Sequence, residues 1–116
     1  MSTKTSSQLA IEVLRSLGVI AADETPDALD STYVTGVYQD KYEELTDLEL
    51  TYWSVNDIPC PLFITLKDLV INEVRGAFGE TQNPEDKEAR DKVILQKVRR
   101  HMRKHSSALP VTADHF

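Results

Sequence analysis

The sequence lacks the residues that disulfide-linked, zinc-binding and membrane-spanning proteins need. One cysteine and three histidines among 116 residues exclude an intrachain disulfide and give no zinc-ligand spacing. No apolar run approaches the roughly 20 residues of a membrane helix, and the polar start MSTKTSSQLA does not match a secretory signal. We therefore expect an intracellularly made protein without a metal or other cofactor, in which Cys60 is a free structural thiol.

Motifs for catalysis and phosphate binding are also missing. The four glycines are isolated from one another, so there is no glycine-rich phosphate loop, and neither a G-x-S-x-G nor an H-E-x-x-H motif occurs. Carboxylates recur at helical spacing at Asp40, Glu43, Glu44 and Asp47, which is more typical of a solvated face than of a metal or acid–base site. The sequence therefore does not predict an enzyme.

Basic residues are outnumbered, with 13 Lys and Arg against 19 Asp and Glu, and the net charge is −6. The charge is unevenly distributed: residues 1–58 carry −8, residues 59–91 carry −3, and residues 92–116 carry +5. A general nucleic-acid binder is usually basic overall, because neutralising phosphates supplies its affinity. A polarised chain instead suits packing beside copies of itself or beside partners of complementary charge.

What the sequence does contain is helical periodicity, in four segments. Apolar residues recur at three- and four-residue steps over residues 7–17, from residue 25 to 48 or 50, from Pro61 to Gly79, and over residues 83–105. The third segment is the most apolar and is expected to be the central helix. The predicted fold is an all-α bundle of four helices over residues 1–105, followed by an extended C-terminal tail, residues 106–116.

Residues that begin and end helices stand at the edges of these segments. The expected N-caps are Ser6 or Ser7, Thr25, Asp57 and Asn83, and the expected stops are Gly18 and Gly79. Gly36, inside the second segment, either allows close helix packing or marks a bend. The inner face of the fourth helix is predicted to carry Ala89, Val93, Ile94, Val98 and Met102.

Four aromatic side chains are predicted to be anchors, either in the core or between subunits: Tyr52, Trp53, Phe63 and Phe78. Tyr52 and Trp53 lie in a segment rich in turn residues, which indicates a corner between two helices. Such a pair is more often part of a core than a binding hot spot.

Five bases near the end of the fourth helix are the best candidates for contact with a polyanion: Lys97, Arg99, Arg100, Arg103 and Lys104. They also complement the negative end of the helix dipole, which is the simpler interpretation. No Phe or Tyr is interleaved with them, so the sequence predicts no stacking platform for single strands. The helix starts with the acids Glu85 and Asp86, which disfavours sequence-specific reading of DNA.

The predicted tail is not simply polar. It contains Leu109, Pro110, Val111 and Phe116, and apolar residues are unusual in a disordered terminus. An extended segment of this kind can add to a sheet edge or lie in a groove of another subunit. Docking on a partner and disorder are both consistent with this composition.

The residues resemble a known family over positions 9–79. The segment from Leu14 to Asp30 has the pattern L-x-x-LGV-x-A-x-x-E-TPD-x-x-D in outline and precedes a Tyr-rich acidic helix. The Tyr52-Trp53 corner, the Ile58-Pro59 element and an apolar helix closing on Ala77-Phe78-Gly79 follow. These features are similar to those of small bacteriophage head-to-tail connector proteins, also called adaptor or head-completion proteins.

The resemblance implies a structural virion protein that is made in the host cytoplasm. Such adaptors form a ring, usually of twelve copies, beneath the portal protein after DNA packaging. The ring extends the channel for double-stranded DNA without sequence specificity, helps to retain the genome, and offers a docking surface to the tail or the next connector. By this resemblance residues 106–116 would dock on the portal, and the five bases would meet either DNA or portal.

A second interpretation comes from a different class of function. A small helical regulatory or antitoxin-like protein could use the basic end of the fourth helix to bind nucleic acid. The two interpretations differ in assembly and in salt response, because duplex binding by a regulator weakens steeply with salt.

Overall fold

The computed structural model describes the backbone of residues 2–108 and the side chains of residues 2–105. Over these residues the chain forms four α-helices: α1 (Ser6–Ser16), α2 (Ala28–Asp47), α3 (Cys60–Val74) and α4 (Pro84–Ala108). A 3₁₀ turn, Arg75–Phe78, continues α3. The prediction of an all-α fold with four helices is confirmed.

Two short strands tie the N-terminus to the corner before α3, a feature that the sequence analysis did not predict. β1 (Thr3–Lys4) pairs antiparallel with β2 (Ile58–Pro59), with Thr3 opposite Pro59 and Lys4 opposite Ile58. The side chain of Asn56 adds to this junction by accepting from the Ser6 amide at 2.9 Å. The start of α1 is therefore fixed to a segment some fifty positions later in the chain.

The first two helices begin at caps other than the predicted ones. The cap of α1 is Thr5 rather than Ser6 or Ser7, because Thr5 and Gln8 form a reciprocal capping box. The cap of α2 is Asp27 rather than Thr25, since the Asp27 carboxylate accepts from the Leu29 amide at 2.8 Å. α1 ends as predicted at Gly18, whose φ of 73° lies in the left-handed region that glycine adopts without strain.

The predicted cap of α3 is wrong for a different reason. Asp57 lies outside the helix, whose N-cap is Pro59 and has no side-chain hydrogen bond. A side-chain cap is not needed here, because the Cys60 amide donates to the Ser2 carbonyl at 3.3 Å and Pro61 has no amide hydrogen. The 3₁₀ turn after α3 ends at Gly79, with φ of 90°, as predicted.

The last helix is longer than predicted. It starts at Pro84, and Asn83 caps it as expected by accepting from the Glu85 amide at 2.8 Å. It continues through Ala108 instead of ending near His105, because residues 106–108 contain no proline or glycine to stop it. The prediction of an extended tail is therefore wrong for residues 106–108. Its candidate docking residues, Leu109, Pro110, Val111 and Phe116, lie outside the described residues.

α3 lies at the centre and packs against each of the other three helices. Its side chains Leu62, Leu66, Val70 and Val74 are almost fully buried, which agrees with its having the most apolar sequence. α1 contributes Leu9, Val13 and Leu14 to the same core, and α2 contributes Val34 and Tyr38. Gly36 lies inside a continuous α2 with no atom within 4 Å of where a Cβ would be, so close packing does not require glycine there.

The buried face of α4 differs in part from the predicted one. Ile94 and Val98 are buried and Met102 is half-buried, as expected, but Ala89 and Val93 are exposed. Leu95 packs on the core instead. The inner face of α4 is therefore turned toward Asp91 and Leu95, compared with the predicted face. The cause is a set of polar contacts, described below, that hold Asp91 and Lys87 against α3.

Candidate interaction surfaces on the last helix

The described residues of α4 border two grooves of opposite charge. Both are open to solvent, and each is built from α4 together with an earlier part of the chain. We call them the basic groove and the acidic groove. Residues that are far apart in the sequence meet in each of them.

The basic groove has a volume of about 470 Å³ and lies between the C-terminal half of α4 and the corner before α3. Its lining consists of Tyr52, Pro61, Lys97, Arg100, His101, Lys104 and His105. Three cations and no carboxylate are among these lining residues. The fold thus gathers three of the five predicted polyanion-contact residues around one concave surface.

The other two bases lie on a different side of α4. At 100° per residue, Arg99 and Arg103 are rotated by about 130° and about 95° from the mean direction of the basic-groove cations, and both are exposed. The cluster that the sequence presents as one run is therefore divided between a groove and the outward side of the helix. This division provides a matched pair of mutational targets.

Tyr52 forms an aromatic stack inside the basic groove. Its hydroxyl lies 2.7 Å from Nε2 of His101, and the two rings are nearly parallel with their centres 5.7 Å apart. The Tyr52 ring also stacks on the ring of His105, with the ring centres 3.6 Å apart. The sequence predicts no aromatic residue among the bases, because Tyr52 precedes them by about fifty positions. The ring is already stacked on His105, so that face is not free for a nucleobase.

The environment of this stack favours a neutral His101. Burial lowers the pKa of His101 below its ordinary value of 6.5, and the nearby charges of His105 and Lys104 lower it further. The Nε2 atom of a neutral imidazole can accept a hydrogen bond from the Tyr52 hydroxyl, whereas the protonated ring cannot. Burial also raises the pKa of Tyr52, which keeps its hydroxyl protonated and able to donate.

The acidic groove lies on the other flank of α4, against the C-terminal end of α2. Its volume is about 430 Å³, and its lining consists of Lys41, Glu44, Leu45, Asp47, Leu48, Leu69, Asp91 and Leu95. Lys41 is already paired, with Nζ at 3.2 Å from Glu44 and 3.6 Å from Glu73. The carboxylates outnumber the cation, and Leu48 adds an apolar side chain that is 52% exposed.

A polar cluster around the buried Asn72 holds the start of α4 between these surfaces. Asn72 of α3 is 1% exposed, and its side-chain amide donates to the Lys87 carbonyl at 3.0 Å and to the Asp91 carboxylate at 2.7 Å. Lys87 also pairs with Glu73 at 2.7 Å. This hydrogen bond lowers the pKa of Glu73 and raises that of Lys87. The cluster determines which side of α4 faces the core, and hydrophobic periodicity could not reveal it.

A third groove, of about 660 Å³, runs between the end of α1, α3 and the first half of α4. Its apolar lining includes Leu17, Ile71 and the exposed Val93, while Lys67, Asp68, Arg75, Glu80 and Arg90 surround it. With Lys97, which also lines the basic groove, four cations stand against two carboxylates here, so charges of both signs are interspersed and the net charge of the lining is +2.

The four predicted aromatic anchors occupy different environments. Trp53 and Phe63 are buried, at 7% and 5% exposure, whereas Tyr52 and Phe78 are half-buried. Trp53 Nε1 donates to the Tyr38 hydroxyl at 3.4 Å, and the Tyr42 hydroxyl donates to the Trp53 carbonyl. Phe78 packs edge-on against Tyr33, with the ring centres 6.0 Å apart. Trp53 thus joins the corner to α2, and Tyr52 joins the same corner to α4.

Within the described part of the chain, no group of three or more His, Cys, Asp or Glu side chains could hold a metal ion. No helix among residues 2–108 is both long and apolar enough to cross a membrane. What these residues offer is a set of charged and apolar surfaces suited to macromolecular contact. Comparison with family models, with curated proteins and with solved structures found no match to this chain.

Proposed function

We propose that this protein is a head-to-tail adaptor of a bacteriophage virion. In this role it forms a ring, of twelve copies by analogy with the family it resembles, beneath the portal protein. The ring extends the DNA channel, helps to retain the packaged genome and offers a surface to the tail. The observation that carries the proposal is the placement of opposite charges in separate grooves on the two flanks of one helix.

The arrangement of the resembling residues supports this proposal. Residues 9–79 include most of α1 and all of α2 and α3, and they supply most of the buried core. The basic groove, by contrast, is built mainly on α4. The resembling part would therefore be the scaffold, and α4 with the residues after it would make the contacts with neighbouring proteins or with DNA.

Binding to portal-bearing heads tests the proposal. Heads that lack this protein are mixed with the full chain and with a variant ending at residue 108, and bound protein is measured after sedimentation. We expect the full chain to sediment with the heads and the shortened variant to stay in solution, because the tail is assigned to portal docking. Equal binding of the two would contradict the role of Leu109, Pro110, Val111 and Phe116.

The shortened variant also needs a test of its fold. Its far-ultraviolet circular dichroism should retain the helical signal of the full chain, because it keeps the whole described length of the four helices. Ending the chain at residue 108 rather than 105 keeps every residue of α4 that the structure describes.

Nucleic-acid binding is the second candidate, and the basic groove is the observation that favours it. Three cations around one concavity could neutralise phosphates, and affinity would then fall steeply with salt. Duplex DNA binding is measured for the wild type, for K97A/R100A/K104A and for the control R99A/R103A. A regulator would lose binding most in the triple variant, whereas an adaptor is expected to bind free duplex weakly in all three forms.

A further inference from the structure

We propose that the basic groove of one copy binds the acidic groove of the next copy, so that neighbouring subunits meet head to tail. This inference rests on the proposed function, since it assigns the contact that holds the ring together. The partner it identifies for each groove is a second copy of this chain. The reasons are the position, charge and apolar content of the two grooves.

The two grooves lie on opposite flanks of α4. At 100° per residue, Lys97, Arg100 and Lys104 lie within about 60° of one another, whereas Asp91 and Leu95 are centred about 180° away. A two-fold dimer would require one self-complementary patch on both partners. Two unlike patches on opposite sides instead give a heterologous contact, which produces a ring when the rotation closes.

The charges of the two grooves are complementary. The lining of the basic groove has three cations and no carboxylate, while that of the acidic groove has three carboxylates (Glu44, Asp47 and Asp91) and one cation (Lys41), a net charge of −2. Within the subunit Glu44 pairs with Lys41 and Asp91 pairs with Lys87, which leaves Asp47 as the carboxylate of this lining without an intramolecular ion pair among the described residues. The acidic groove also lies beside the C-terminal end of α2, where the helix dipole adds negative potential. Opposed patches of this kind guide association and set the register of the two surfaces.

Apolar groups accompany the charges on both sides. Leu48 is 52% exposed at the acidic groove, beside Leu69 and the half-buried Leu95. The basic groove presents the exposed Pro61 and the half-buried Tyr52. Burying apolar surface at the centre with charges around it is the usual composition of a protein interface.

The grooves are also offset along α4. The α4 residues of the acidic groove, Asp91 and Leu95, centre on position 93, and the cations of the basic groove centre near position 100, a separation of about 10 Å at 1.5 Å per residue. For the grooves of adjacent copies to meet at one height in a ring, α4 must be inclined to the ring axis. Images of an assembled ring would show this inclination.

Charge reversal with mixing tests the pairing. One variant reverses the basic groove (K97E/R100E/K104E), and the other reverses exposed positions of the acidic groove (E44K/D47K). Assembly on portal-bearing heads is measured by electron microscopy, and subunit composition by native mass spectrometry of the released rings. The matched control is R99E/R103E, which reverses the two cations on the outward side of α4.

Each reversed variant alone should show at least about a tenfold loss of ring occupancy, because like charges face each other at every contact. An equimolar mixture should restore assembly, with the two variants alternating 1:1 around the ring, since each reversed groove then faces the other reversed groove. The control should assemble like the wild type. Circular dichroism establishes that each variant is folded, and a neutral set, K97Q/R100Q/K104Q, replaces the reversed set if that one does not fold.

The outcomes separate this inference from the proposed function. If the wild type forms rings and the reversed variants assemble equally well, the pairing is wrong but the adaptor role stands. The same holds if the wild type forms rings and the folded mixture of variants fails to assemble. If the wild type forms no ring on the heads, the proposed function fails, and the pairing fails with it.

Discussion

His101 shows how one residue links the aromatic corner to the basic end of α4. Its ring nitrogen and the Tyr52 hydroxyl are 2.7 Å apart, and its own charge is disfavoured by burial and by its basic neighbours. In the unfolded chain these influences are absent, so His101 binds a proton more readily there than in the native protein. The difference makes stability depend on pH.

We expect the native protein to lose stability as the pH falls from about 7.5 to about 5.5. The pKa of His101 is lowered on folding, so at pH values between its folded value and 6.5 the unfolded state binds more protons. The free energy of unfolding therefore rises with pH across this window. Urea unfolding at several pH values measures it.

The variant His101→Gln isolates the contribution of this residue. A glutamine can accept a hydrogen bond from the Tyr52 hydroxyl through its side-chain oxygen, but it does not titrate. We expect its stability to change less between pH 7.5 and 5.5 than that of the wild type. An unchanged pH dependence would show that His101 does not cause it.

Asn72 is the second residue whose role can be measured directly. Replacing it with alanine removes a buried donor that serves both the Lys87 carbonyl and the Asp91 carboxylate, and Asp91 then keeps only its 3.6 Å pair with Lys87. We expect Asn72→Ala to lower the free energy of unfolding by about 2 kcal/mol, as measured by urea denaturation. The exposed α4 residue Gln96 serves as the control, and a Gln96→Ala change should have little effect.

At the scale of the element, the start of α2 shows which of two candidate residues caps the helix. The sequence TPD presents both Thr25 and Asp27 as helix starts, and the structure assigns the cap to Asp27. We expect Asp27→Ala to destabilise the protein by about 1 kcal/mol and Thr25→Ala to have a much smaller effect. Thermal unfolding of the two variants measures the difference, and equal effects would contradict the assignment.

The helices were predictable because their information is local. Apolar spacing located all four, and Gly18, Gly79 and Asn83 marked boundaries that the structure confirms. Cap choice was less predictable, because Thr5 and Asp27 stand only one or two positions from equally suitable residues. Local preference alone does not decide between such neighbours.

The contacts that shape the interaction surfaces were not predictable, because they join distant parts of the chain. The pairing of β1 with β2 and the stack of Tyr52 on His105 both cross about fifty positions. The orientation of α4 depends on Asn72 and Asp91, two polar residues that a search for apolar periodicity passes over. The five bases were found from the sequence, but only the structure shows that three of them line one groove together with Tyr52.

At the scale of the whole molecule, the fold converts a charge gradient along the chain into two opposed surfaces. The acidic first half contributes the end of α2 to one groove, and the basic C-terminal half of α4 lines the other. A subunit with two unlike complementary surfaces is suited to cyclic assembly. Because the proposed contacts between copies are partly ionic, the assembly should weaken as salt is raised.

Cryo-electron microscopy of portal-bearing heads mixed with this protein tests the central claim most directly. We predict a ring of added density at the portal vertex, coaxial with the DNA channel, with each subunit fitting the four-helix fold. Heads mixed with the variant ending at residue 108 should lack the ring. The absence of added density with the full chain, together with salt-sensitive binding to bare duplex DNA, would contradict the adaptor function and favour the nucleic-acid-binding regulator.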